Sequence, residues 1–96
     1  MKLTNAFVYI MGNKHATTYY VGMTNNLERR VREHKNNKSN FTSRYNLHCL
    51  LYYEVVKDIN TAIKRENQLK NWRRTWKIEL IQTINPEFKD LAVDWA

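Results

Sequence analysis

Two short apolar runs open the chain. Residues 6–11 (Ala-Phe-Val-Tyr-Ile-Met) and 18–23 (Thr-Tyr-Tyr-Val-Gly-Met) are β-branched and aromatic, and the polar stretch Gly12-Asn13-Lys14-His15-Ala16-Thr17 divides them. The pattern predicts a β-hairpin with a turn of about six residues. The apolar period then lengthens. Leu27 and Val31 recur at helical spacing, and Asn25 followed by Glu28 resembles a capping box that opens a helix over about residues 26–36. Residues 36–46 are polar and asparagine-rich, with Lys38, Phe41, Arg44 and Tyr45 among them, and read as a long loop. Residues 48–56 form the most apolar stretch and suit a strand covered on both faces. Asp58 or Asn60 can cap a second helix, running to about Trp72, with Ile59, Ala62, Ile63 and Leu69 as its stripe. Thr75 can cap a third, with Trp76, Leu80, Ile81 and Ile84 near one face. Asn85-Pro86 ends it, because proline disfavours helical geometry in the residue before it. The order β-β-α-β-α-α implies a small α+β sandwich.

Composition narrows this picture. Ninety-six residues make one domain, taken here as residues 1–96. Lys plus Arg is 16 against 9 Asp plus Glu, a formal charge of +7, which points to a polyanionic partner. Hydrophobic residues at 43% and aromatics at 12% exclude a disordered tail, and two Gly with one Pro exclude a collagenous or linker chain. The single Cys49 excludes an internal disulfide framework and suggests a reducing, cytoplasmic setting. No apolar run approaches membrane-spanning length and the first residues lack a signal-peptide pattern, so no membrane partner is expected.

Some charges sit where hydrophobic residues belong. At about 100° per residue, Arg30 and His34 fall on the side of the first helix marked by Leu27 and Val31, whereas Arg29 points nearly opposite. A structural ion pair or a functional cation both explain Arg30, and ordinary packing explains His34 as well as a site role does. Glu66 lies inside the apolar stripe of the second helix. A carboxylate there is costly unless a cation or several donors meet it. A salt bridge to an arginine such as Arg30 would satisfy it. So would a Mg²⁺ that keeps most of its waters and takes further oxygens from a phosphate. Tyr9, Tyr19, Tyr20, Tyr52 and Tyr53 suit sheet packing. Lys70, Arg73, Arg74 and Lys77, interleaved with Trp72 and Trp76, suit either a phosphate-contacting ridge or a solvated helix face. Three histidines and one cysteine have no zinc spacing.

These residues also match a known pattern. Phe7-Val8-Tyr9, followed eleven residues after Tyr9 by Tyr20 in Tyr20-Val21-Gly22, resembles the two half-motifs of the GIY-YIG endonuclease family. The segment from Gly22 to His34 resembles that family's next stretch, whose arginine, ten residues after the second motif's tyrosine, falls on Arg30. The family's following histidine or tyrosine falls on His34, its metal-binding glutamate on Glu66, and its late asparagine on Asn85 of Asn85-Pro86. Phe7 stands where the first motif carries glycine, and Met23 where some members place a lysine. The likeness covers about residues 6–91 and is closest to small free-standing members related to the nuclease module of the excision-repair enzyme.

The resemblance implies a three-stranded antiparallel sheet flanked by helices, and a metal-dependent endonuclease that hydrolyses DNA phosphodiesters one strand per site. In that reading Glu66 holds one Mg²⁺ or Mn²⁺, Arg30 meets the non-bridging oxygens, and Tyr20 takes the proton of the attacking water. Tyr9 and His34 orient the water or share the proton, and Asn85 positions the phosphate. Lys35, Lys38, Arg44, Lys70, Arg73, Arg74 and Lys77 are the expected nucleic-acid contacts. A non-catalytic nucleic-acid-binding module, an RNA-directed nuclease, or a subunit that takes its specificity from a protein partner are the alternatives on the same fold.

Overall fold

A computed structural model describes residues 5–36 and 44–95. Lys38 and Phe41, with most of the expected loop, lie outside the described residues. The elements are β1 (Ala6–Gly12), β2 (Tyr19–Thr24), α1 (Leu27–Lys35), β3 (Cys49–Val56), α2 (Ile59–Asn71) and α3 (Arg74–Gln82). The order is therefore the expected β-β-α-β-α-α.

The three strands form one antiparallel sheet in the order β2-β1-β3. β1 is the strand buried on both faces: Ala6, Val8 and Ile10 enter one core, Tyr9 and Met11 the other. The first core packs against Ala62 and Leu69 of α2 and Ile81 of α3. The second is closed by Leu27 and Val31 of α1 together with Leu47, Leu50 and Ala92. This corrects the expectation for residues 48–56. β3 is an edge strand, buried over Leu50–Tyr52, while Tyr53 and Val55 face outward. Its apolar run reflects its buried first half and not a central position.

β3 also carries an irregularity. Ile10 pairs with Tyr52 and Met11 with Leu50, so Leu51 is skipped in the ladder. Its carbonyl accepts instead from the buried Asn85 side chain at 3.0 Å. The chain beyond α3 then turns back onto the sheet. The Leu91 N–H donates to the Leu50 carbonyl at 2.8 Å, and Asp90 Oδ1 accepts from the Leu50 and Ala92 N–H groups.

The helix starts differ from the sequence reading by one or two residues in places. Asn26, not Asn25, caps α1, its Oδ1 accepting from Arg29 N–H at 3.1 Å. Glu28 is thereby freed from the box and pairs with Arg32. Asp58 caps α2 through the Thr61 N–H at 2.7 Å. Arg73 occupies the cap position of α3 without a side-chain bond, and Thr75 falls inside the first turn. Within α3 the expected apolar face is only partly covered: Ile81 is fully buried but Trp76 stays 48% exposed, as does Ile84, beyond the helix, at 51%. No described helix is long and apolar enough to cross a membrane.

Candidate active site

Register brings the first polar group into place. Tyr9 sits opposite Gly22 in the β1–β2 ladder, and its ring lies across that glycine. A Cβ at position 22 would stand 2.5 Å from the Tyr9 hydroxyl oxygen and 2.9 Å from a Tyr20 ring carbon. Only a residue without a side chain lets both rings pass.

Tyr9 reaches from the central strand to α1, where its hydroxyl and His34 Nε2 are 2.9 Å apart. Tyr20 closes the group, its ring centroid 5.5 Å from His34 and 6.4 Å from Tyr9. Tyr9 and His34 are buried whereas Tyr20 is half-exposed, so of these three Tyr20 is the ring that meets solvent. Burial, and then Tyr20 nearby, push the Tyr9 phenol well above its usual range. Burial, and next the charge of Arg30, push His34 down to about 4. At neutral pH the pair is a phenol against an uncharged imidazole.

Arg30 lies beside this group, half-exposed, with its positive charge acting on the Tyr9 phenol and on His34. Its ion-pair partner is Glu33, one turn along α1 at 2.8 Å. That bond, ahead of the phenols, raises the Arg30 guanidinium above its ordinary value. Arg29 is exposed, as its helical angle requires.

Glu66 sits one turn from Ala62 and nearly one from Leu69 on the inner side of α2, its side chain 18% exposed. Its negative charge bears on Tyr9 and raises that phenol further. Its ion-pair partner is Lys70 at 3.3 Å, not Arg30. Lys70 is half-exposed and its long stem can leave without disturbing the core. Among the described residues no group of three or more His, Cys, Asp or Glu stands together as a metal cage. A single partly exposed carboxylate fits a hard cation that retains its waters and shares a phosphate.

Two expected site residues are used elsewhere. The Asn85 amide donates to the Leu51 and Lys89 carbonyls and accepts from the Lys89 N–H, so backbone groups claim it. The asparagine is a clasp for the skipped residue of β3. Lys35 is likewise committed, donating to Asp90 at 2.5 Å and to the His48 carbonyl at 3.0 Å. Among the cations expected to meet nucleic acid, Arg44 is exposed. Lys70 stands beside Glu66, Arg73 rests over Trp76, and Arg74 bonds the Thr17 carbonyl while lying over the Tyr19 ring. Lys77 is half-buried, and burial and then Arg74 lower its pKa.

The sequence reading missed two contributors. Glu33, which holds Arg30, could have been found from its spacing of three residues on one helix. The second is a fork in which Arg65 donates to both carboxylate oxygens of Glu54, at 2.7 and 3.3 Å, with Tyr52 donating to the same carboxylate at 2.6 Å. It ties α2 to β3 at the residue next to Glu66, and no local spacing signals it.

A hairpin that carries two tyrosines, an arginine and histidine on the following helix, and a glutamate on the helix after the third strand together define the GIY-YIG nuclease class. The sequence matches the GIY-YIG catalytic domain over residues 5–79, and the chain belongs to that family. It is 33% identical over 87 residues to a UPF0213 protein of Syntrophus aciditrophicus (strain SB), covering 88% of this chain and 98% of that one. It is 33% identical over 78 residues to a UPF0213 protein of Clostridium perfringens (strain 13 / Type A), covering 80% and 83%. The solution NMR structure of the UPF0213 protein BH0048 from Bacillus halodurans has the same fold. It superposes with a TM-score of 0.57 at 22% identity, covering 93% of this chain and 96% of that one.

Proposed function

We propose that the protein is a metal-dependent DNA endonuclease that hydrolyses one phosphodiester strand per site. The observation that carries this reading is the convergence of Arg30, Tyr9, Tyr20 and His34 on one cluster, with the charge of Glu66 directed at it. Phosphodiester hydrolysis needs an activated water, charge neutralisation at the phosphoryl oxygens, and help for the leaving alkoxide. A Mg²⁺ or Mn²⁺ held by Glu66 supplies the Lewis acid for the phosphate when bound.

The protein residues divide the remaining work. Arg30 is half-exposed and forked, so it can turn a donor from Glu33 to the non-bridging oxygens. Tyr20 faces solvent and takes the proton of the attacking water. For this it acts as the phenolate, its own proton having passed to solvent, and the neighbouring Arg30 guanidinium is the counter-charge. The Tyr9–His34 pair is too buried to touch water and fixes the position of Tyr20 and Arg30. Exposed Arg44, Arg73 and Arg74, with Lys70 and the half-buried Lys77, supply the charge that holds the DNA backbone. The cytoplasm, where nucleic acid and free Mg²⁺ meet, is the compartment proposed.

The test is nicking of supercoiled plasmid with Mg²⁺ or Mn²⁺, against a chelator control and Glu66→Ala. Conversion to open circles that depends on both the metal and Glu66 is the expected result. Binding without conversion would leave a non-catalytic module, and cleavage confined to RNA would move the substrate.

A further inference from the structure

The junction of α2 and α3 carries a feature that the hydrolytic site does not use. Trp72 caps α2, the helix that bears Glu66, and Trp76 lies one turn later on α3. Their rings stand at 89° with centroids 5.9 Å apart, so they form two walls of a corner. Glu79, Leu80 and Thr83 complete a cleft of about 350 Å³. Trp72 leans on the first core, but Trp76 remains 48% exposed, a large apolar surface for a helix that could have buried it. Cations ring the cleft. The Arg65 guanidinium carbon is 5.3 Å from the Trp72 centroid and that of Arg73 is 5.8 Å from the Trp76 centroid.

We propose that this cleft holds one unpaired nucleobase of a DNA strand, stacked against the Trp76 indole. The proposal rests on the nucleic-acid reading above. Three features select that occupant. A planar ring can stack on one wall and meet the edge of the other, which suits the perpendicular indoles. The positive rim attracts a polyanion and disfavours an ordinary apolar helix. The Glu79 carboxylate at the lining repels phosphate but accepts from an exocyclic amine, as acidic side chains do from cytosine N4. The phosphates therefore stay outside with Arg73 and the base enters. A paired, stacked base cannot enter, so the cleft favours single-stranded segments beside the cut.

Fluorescence anisotropy with the full chain in chelator, so that no strand is cut, tests this. The probes are a short single-stranded oligodeoxynucleotide of mixed sequence and the blunt duplex of the same strand, at one fixed salt concentration. Trp76→Ala should weaken single-strand binding by about five- to a hundredfold, the range of one base–aromatic stack, and leave duplex binding unchanged. Trp76→Phe should restore most of the loss, and its circular dichroism guards against misfolding. Unchanged single-strand affinity in Trp76→Ala, or equal losses on strand and duplex, overturns the stacking site while plasmid nicking by the wild type still supports the nuclease reading. Tighter binding of the matching ribonucleotide strand overturns the assignment to DNA. Failure of the wild type to bind either probe removes the nucleic-acid reading and this inference with it.

Discussion

Replacing Gly22 by alanine tests how closely the fold and the site depend on one another. The new Cβ would lie 2.5 Å from the Tyr9 oxygen, 2.6 Å from the ring carbon that bears it and 2.9 Å from Tyr20, where ordinary contact begins at 3.4 Å. The rings must withdraw by about 1 Å, and Tyr9, 1% exposed among Met11, Leu27, Val31 and Leu47, has no free direction. Overpacking of this kind costs about 1–3 kcal/mol. Pulling the Tyr9 hydroxyl off His34 strands two buried polar groups and costs about 1–3 kcal/mol more. The smaller entropy of an unfolded alanine chain returns about 0.4–1 kcal/mol. A net loss of about 3 kcal/mol corresponds to a Tm lower by about 12–24 °C in a domain of this size. Gly12→Ala is the matched control. Its Cβ meets the Cδ1 end of Leu51 at 2.5 Å and the next atoms only at 3.4 Å, so a turn about the Cβ–Cγ bond of Leu51 relieves most of the clash. Thermal denaturation of both variants followed by circular dichroism decides the matter. Equal Tm values would refute the reasoning, since a rigid ring and a rotatable methyl would then be equivalent.

Further expectations concern the polar cluster. Glu66→Ala and Arg30→Ala should each abolish plasmid nicking while retaining most DNA binding by gel shift, and Arg29→Ala should cut normally; a dead Arg29 variant would invert the helix register. Glu33→Gln should strengthen DNA binding a few-fold by releasing Arg30, the scale of an exposed ion pair, and an equilibrium titration that finds weaker binding would assign Glu33 another role. Because the folded His34 is held down to about 4, the unfolded chain takes up its proton first. The stability contribution is therefore complete above about pH 6.5 and disappears as pH falls through 4, a loss of about 3 kcal/mol. Urea unfolding across that window should show a shallower decline for His34→Gln than for the wild type, and parallel curves would contradict it.

Local signals carried the element order well, since it rests on period and caps that each segment states for itself. The helical angles of Arg30, His34 and Glu66 also survive, because a side chain's direction on a helix is fixed by its neighbours within one turn. What depended on distant strands was not legible. Nothing within residues 48–56 says that β1 takes the centre, so the apolar run suggests a covered strand where the fold has a half-covered edge. Glu66 announces its need of a partner but not that Lys70 answers it. Asn85 and Lys35 look free in the sequence because the carbonyl of a skipped strand residue and the carboxylate of Asp90 arrive only in three dimensions.

The backfolded tail has a consequence for the behaviour of this chain in a crowded solution. An edge strand offers unpaired N–H and C=O groups to any neighbouring chain, and a flat apolar edge is a template for aggregation. At Leu50 both groups are already taken, the N–H by Asp90 and the carbonyl by the Leu91 N–H. Lys35 neutralises Asp90 from the other side. The tail thus acts as a short false strand that blunts β3 where it is most apolar, beside Leu51 and Tyr52. Farther along, the outward Tyr53 and Val55 are interrupted by Glu54, whose charge Arg65 partly covers. Removal of residues 85–95 would uncover the apolar half of that edge, and the shortened chain would meet its own copies as partners for pairing.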